Sequence, residues 1–216
     1  MELREFAERV LFGETLAEKL VAPSEFTDKA PGNPISTPKF PHRPKAWSRT
    51  PHATGHPNAE RPFPAIAKMD RPQIRGEMLH AFANHELLTM EIMALTLLRF
   101  PDAPKHFRQS VATTLTEEQT HFQLYLDRIQ DLGADTEGLP LGRFFWDSAT
   151  SMQDPMDYVI RISLTFEQAN LDHAIRYAQL FAAVEDHKSA ELMKQILRDE
   201  IVHVRRGLQW FRTYCS

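Results

Sequence analysis

Two copies of one spacing constrain this chain more than any other feature in it. Glu86 precedes Glu118-x-x-His121 by 32 residues, and Glu167 precedes Glu200-x-x-His203 by 33. Residues at i and i+3 share a helix face, so each Glu-x-x-His pair points a carboxylate and an imidazole the same way. The neighbours of these residues recur at helical steps. Val111, Leu115, Glu118, Phe122, Tyr125, Ile129 and Leu132 advance by four and three in alternation. That is the apolar stripe of a core-facing helix with a carboxylate in its middle. Leu79, Ala83, Glu86, Met90, Met93 and Leu97 form a second stripe. Ile160, Leu164, Glu167, Leu171, Ala174, Ala178 and Phe181 form a third, and Met193, Leu197, Glu200, Val204, Gly207 and Phe211 a fourth. The pattern calls for four long helices that face one another, each with one Glu turned inward.

Such an arrangement is costly without a counterion. A buried ionised carboxylate costs several kcal/mol unless it is paired or bound to metal, and four at one depth repel one another. Two divalent cations supply about four positive charges against the four carboxylates, and neutral imidazoles complete the coordination. A single Glu-x-x-His is weak evidence, since both residue types are common on solvated faces. Two copies at near-equal spacing, with all four Glu inside apolar stripes, are not explained that way. One Glu from each of two helices and Glu-x-x-His from each of the other two is the ligand set of carboxylate-bridged di-iron and di-manganese bundles.

The expected fold is all-α, a ferritin-like four-helix bundle with a long crossover between its second and third helices. Helical patterns run over 72–99, 105–132, 156–184 and 187–213. Pro101 and Pro104 separate the first pair, and Glu185-Asp186-His187 mark a short turn between the last two. Short links make each pair antiparallel neighbours, and residues 133–155 form the crossover. Residues 1–71 are read as an N-terminal helix (3–20) and a Pro-rich basic arm packed on the bundle, and 72–216 as the bundle with its dimetal site. The arm is set apart by 11 of the chain's 15 prolines within 23–72, which excludes continuous helix. Trp47, Phe40 and Phe63 favour wrapping over a lid. Residues 39–75 hold eight Lys or Arg against Glu60 and Asp70, about +6 in a chain of formal net charge −4.

At the site, Glu118 and Glu200 are the expected metal bridges, Glu86 and Glu167 terminal ligands, and His121 and His203 one ring nitrogen per metal. Glu117 and Asp199 precede the bridging residues at equivalent positions, where they can accept a hydrogen bond from a ligating imidazole. Tyr125 is a core residue with a hydroxyl to satisfy, or a redox-active tyrosine. Glu91, five residues past Glu86 and about 140° around the helix, is read as outside the cluster, with an auxiliary ligand as the alternative. His173 also points away, and His85 merely flanks the first ligand. Oxygen and imidazole donors with open positions suit iron or manganese over zinc. Two Fe ions are expected, with Mn or mixed Mn/Fe as the alternatives. Beyond those ligands no catalytic residue is indicated. There is no Gly-rich phosphate loop and no nucleophile elbow. The sole cysteine, Cys215, excludes an internal disulfide framework. No apolar run reaches the roughly 18–20 residues of a membrane span, the N-terminus does not read as a signal peptide, and a cytoplasmic location is expected.

The stretches ERPFPAIAKMDRPQIRGEMLHAFANHELLTMEIMAL, TLTEEQTHFQLYLDRIQDLG, LTFEQANLDHAIRY and RDEIVHVRRGLQWF resemble the ferritin-like di-iron carboxylate superfamily. Within it they are similar to a bacterial ferritin-like family catalogued as a domain of unknown function. The resemblance covers roughly residues 60–213 and implies the bundle fold and a dimetal site on the six residues above. It implies no substrate. Members of the family continue further past Trp210-Phe211, so the stop after Ser216 is a departure that leaves the ligands intact. The expected function is that of an oxygen-activating oxidoreductase, a monooxygenase or oxidase of a small molecule or modified nucleoside. A relative within the superfamily hydroxylates a modified adenosine of tRNA. Molecular oxygen, a small-molecule substrate and an electron donor are the implied partners, with RNA contact through the basic arm as an addition. The alternatives are a ferroxidase or iron-handling protein, and a non-catalytic bundle acting as a binding module.

Overall fold

The computed structural model describes residues 1–47, 64, 66–139 and 141–215. Among them there is no strand; the one extended pairing is an isolated bridge between Glu2 and Thr27. The helices are α1 (Leu3–Phe12), α2 (Leu16–Lys19), α3 (Pro72–Arg99), α4 (Lys105–Asp131), α5 (Phe144–Ala149), α6 (Pro155–Tyr158), α7 (Glu167–Ala183) and α8 (His187–Cys215). A π-helical stretch, Val159–Phe166, joins α6 to α7 without a break. The four long helical segments thus fall where the periodicity puts them. No described helix is long and apolar enough to cross a membrane.

Two compact units are distinguishable. The first comprises Met1–Pro62, Ala81–Gln123 and Thr136–Ser151. The expected helix over 3–20 is broken at Gly13 into α1 and α2, because Thr15 caps α2 in a reciprocal box with Glu18. On α1, Leu3, Phe6, Ala7, Val10 and Leu11 are fully buried. Beyond α2 the Pro-rich segment is fastened by specific bonds rather than by regular structure. Leu3 N–H donates to Thr27 O, Ile35 N–H to Leu98 O, and His42 N–H to Leu11 O. Arg108 pairs with Asp28 and also donates to Leu97 O and Phe100 O. Trp47 is 6% exposed and packs edge-on against Phe122, with centroids 5.0 Å apart. The indole N–H of Trp146 donates to Lys39 O, and Arg143 lies over the Phe40 ring. Arg49, Arg61 and Phe63 of the arm lie outside the described residues.

The second unit comprises Phe63–His80, Leu124–Asp135 and Met152–Ser216. Its polar anchor is Asp186, which caps α8 through the Ser189 N–H and receives Arg128 and Arg75. The turn before α8 uses a positive φ of 58° at Glu185. The π-helical stretch packs against α8 at Gly207, where an added Cβ would stand 2.6 Å from Ser163 Cβ and 3.3 Å from Ser163 O. A glycine is what permits that approach.

One expectation fails in this stretch. A regular α-helix would turn Ile160 inward with Glu167, yet Ile160 is 43% exposed, while Val159 and Ile162 are buried. A π-turn closes i to i+5 and takes more residues per turn than 3.6. The seam upstream of Glu167 is therefore out of phase with the seam downstream, where Ala174, Ala178 and Phe181 remain buried.

Candidate metal centre

Each of the six expected ligands is on a long helix and each is buried. Glu86 on α3 is 3% exposed, Glu118 and His121 on α4 are 0% and 2%, Glu167 at the start of α7 is 2%, and Glu200 and His203 on α8 are 0% and 3%. They converge in two overlapping groups. Glu86, Glu118, His121 and Glu200 each offer a ligand atom, all within 4.8 Å of one another. Glu118, Glu167, Glu200 and His203 do the same. Glu118 and Glu200 belong to both groups. Glu86 with His121, and Glu167 with His203, belong to one each.

The local geometry follows from the i, i+3 spacing. His121 Nδ1 lies 2.9 Å from Glu118 Oε2, and His203 Nδ1 lies 3.2 Å from Glu200 Oε2. In both pairs the imidazole nitrogen and the carboxylate oxygen are brought to one point. Asn170 Nδ2 donates to Glu167 Oε2 at 3.3 Å, so Glu167 carries an amide at the same i, i+3 offset at which the bridging residues carry imidazoles. Glu167-x-x-Asn170 has the same spacing as the two Glu-x-x-His pairs, with an amide in place of the imidazole.

The donor set fits divalent metal. Two like charges about 4 Å apart repel by roughly 4 kcal/mol at the effective dielectric of a protein site, so four clustered carboxylates need protons or cations. Two divalent ions neutralise four carboxylates and leave the imidazoles neutral. An all-oxygen and imidazole donor set with no thiolate is one that iron and manganese accept. The buried Glu/His cluster could hold metal on these grounds; its composition does not distinguish those two metals.

The remaining candidates sort clearly. Tyr125 is 1% exposed and its hydroxyl points to Met193 Sδ at 3.8 Å. Glu117 and Asp199 are half-buried. His173 is exposed, and His85 stacks edge-on with Phe145 at 4.4 Å. Glu91 lies outside both ligand groups and has another use. It is fully buried, accepts a hydrogen bond from Lys19 Nζ at 3.0 Å, and is gripped by the Arg43 guanidinium. Arg43 also donates to Asn84 Oδ1, and Asn84 donates to Gly142 O. Lys19 is itself fully buried and donates to Val10 O at 2.7 Å. Burial pushes Lys19 below its ordinary pKa, against the pull of Glu91. Sequence reasoning missed this cluster, since nothing in the spacing of Lys19, Arg43 and Glu91 joins them. Of the cations within residues 39–75, Arg43 is committed to Glu91 and Arg75 to Asp186, which removes both from any surface patch for RNA.

A family model described as "Protein of unknown function (DUF455)" matches residues 6–216. No curated protein and no solved structure matches the chain.

Proposed function

The chain belongs to the DUF455 family, and from that premise we propose that it is an oxygen-activating dimetal oxidoreductase on a ferritin-like four-helix bundle. The observation that carries the proposal is the sharing of Glu118 and Glu200 between two four-residue ligand groups. In this reading Glu86 and His121 would hold one metal, Glu167 and His203 the other, and Glu118 and Glu200 would serve both. Iron is the first choice on the donor set, with manganese or a mixed pair next.

A pair of ferrous ions held by these residues would supply the electrons for reducing oxygen. The chain's own residues supply the setting. Four carboxylates hold two divalent cations near neutrality, so a charge change at the site is felt strongly. Burial at 3% exposure or less keeps bulk water from the ligands. Asn170 donates to one oxygen of Glu167 and so helps to orient that carboxylate. A small molecule or modified nucleoside is the substrate class, and an electron donor is needed for repeated turnover.

Oxygen consumption by anaerobically ferrous-loaded protein tests the proposal. Uptake should scale with protein, stop when the bound iron is spent, and vanish in Glu118→Ala. Uptake that instead continues with excess ferrous ion would mark a ferroxidase. No uptake by protein that retains two iron per chain would refute oxygen activation.

A further inference from the structure

Helix α8 carries a second seam on the side away from its ligands. Lys194, Arg198, Ile201, Arg205, Leu208 and Arg212 advance by four, three, four, three and four, and all six are exposed. At 3.6 residues per turn they fall within an arc of roughly 80°, opposite the buried side that holds Met193, Ile196, Glu200, His203 and Gly207. Ile201 is 37% exposed and Leu208 42%, with Val202 beside them at 43%. Lys194 is paired with Glu191. Arg198, Arg205 and Arg212 form no ion pair among the described residues. From 194 to 212 the acids are Asp199 and the buried Glu200. This face is thus strongly basic on a chain whose formal net charge is −4.

We propose that this face of α8 docks a protein partner presenting an acidic helix with aliphatic residues at matching spacing. Three features select that occupant. Ile201 and Leu208 stand one heptad apart with Arg198, Arg205 and Arg212 at the other position of the line, so a facing helix can meet aliphatics and cations in register. A bilayer-binding helix instead gathers its apolar residues on one side and its cations on the other. No aromatic residue stands in the seam to stack on bases, as a single-stranded nucleic acid would require. A second copy using the same face would set Arg against Arg, a repulsive arrangement. Carboxylates placed opposite Arg198, Arg205 and Arg212 would be complementary, and aliphatics opposite Ile201 and Leu208 would be covered.

The test uses the full chain and two synthetic helical peptides of the same heptad pattern. One carries Leu and Glu at the facing positions, and the other has each Glu replaced by Lys. Binding is followed by fluorescence anisotropy at about 50 and about 300 mM salt, either side of the range where surface charges become screened. The acidic peptide should bind saturably and weaken with salt. Arg205→Glu/Arg212→Glu should weaken it at least about tenfold and admit the Lys peptide in its place. Circular dichroism and metal content should not change in that variant. Equal binding of both peptides, or unchanged binding to the variant, would overturn the proposal. Uptake of the chain by vesicles containing phosphatidylserine, lost in the same variant, would overturn it in favour of a membrane. Self-association abolished by Leu208→Asp would overturn it in favour of a second copy. Binding is read without turnover, so failure of the dimetal reading leaves the result interpretable.

Discussion

Glu118 Oε2 lies 2.9 Å from His121 Nδ1, with the two side chains 0% and 2% exposed. The pair is one half of a repeated device, since Glu200 and His203 stand 3.2 Å apart on α8 in the same way. Glu118 and Glu200 are common to both ligand groups. On the proposed reading, the carboxylates shared by both groups and those in one group only should differ on substitution. Glu118→Ala and Glu200→Ala are expected to lose both metals, whereas Glu86→Ala and Glu167→Ala should keep about half the wild-type content. Elemental analysis of the four purified variants checks this, and a uniform loss across them would remove the distinction.

Glu91 holds two buried cations at once, Lys19 and Arg43. Removing one partner of a buried ion pair leaves an uncompensated charge and typically costs about 3–5 kcal/mol. Glu91→Ala should fall in that range by urea denaturation, and Lys19→Met should cost less, because Arg43 still satisfies Glu91. The sign with pH is also set. Burial lowers the Lys19 pKa in the folded state, so the unfolded chain binds more protons between that value and about 10.4. The stability contribution of Lys19 should rise with pH across that window in the wild type, and the rise should be missing in Lys19→Met.

Asp186 has the same sign with pH, in an acidic window. Burial alone would raise its pKa, but the N–H and hydroxyl of Ser189 and the Arg128 guanidinium outweigh it and hold the carboxyl below its ordinary value. Its contribution is complete above about pH 3.9 and is lost as pH falls through the folded value. The difference in unfolding free energy between wild type and Asp186→Asn should shrink below that pH. A difference that stays constant into strong acid would show that the carboxylate charge is immaterial.

Gly207 sits where the π-helical stretch meets α8, with Ser163 too close for a Cβ. Gly207→Ala should force that stretch away and destabilise by about 1–3 kcal/mol, the usual cost of overpacking. Because the stretch runs directly into Glu167, metal retention should fall as well. Thermal unfolding with metal analysis separates the two effects. A variant with unchanged stability would mean that the contact yields freely.

What could be read from residues alone was set by periodicity. The stripes around Glu86, Glu118 and Glu200 are regular α-helix, so their spacing pointed to the buried face directly. Around Glu167 the same argument misplaced Ile160, because a π-turn changes the residues per turn and leaves no mark in apolar spacing. The buried cluster of Lys19, Arg43 and Glu91 was illegible for another reason. Its members are 24 and 48 residues apart in the chain, and a charged residue reads as solvated until its partner is seen. Glu91 was correctly set outside the ligand cluster by its angle, yet its use as a fastening for the Pro-rich segment depended on non-local packing. Asn170 was within reach of the same spacing rule that singled out His121 and His203.

The most direct measurement is the metal content of protein purified without added metal, then reconstituted anaerobically with ferrous ion and exposed to air. Two metal ions per chain, with an iron–oxo absorption after oxidation that is absent in Glu118→Ala, is the predicted result. Protein that carries no stoichiometric metal and takes up none on reconstitution would contradict the dimetal centre and leave the six buried residues without the role assigned to them.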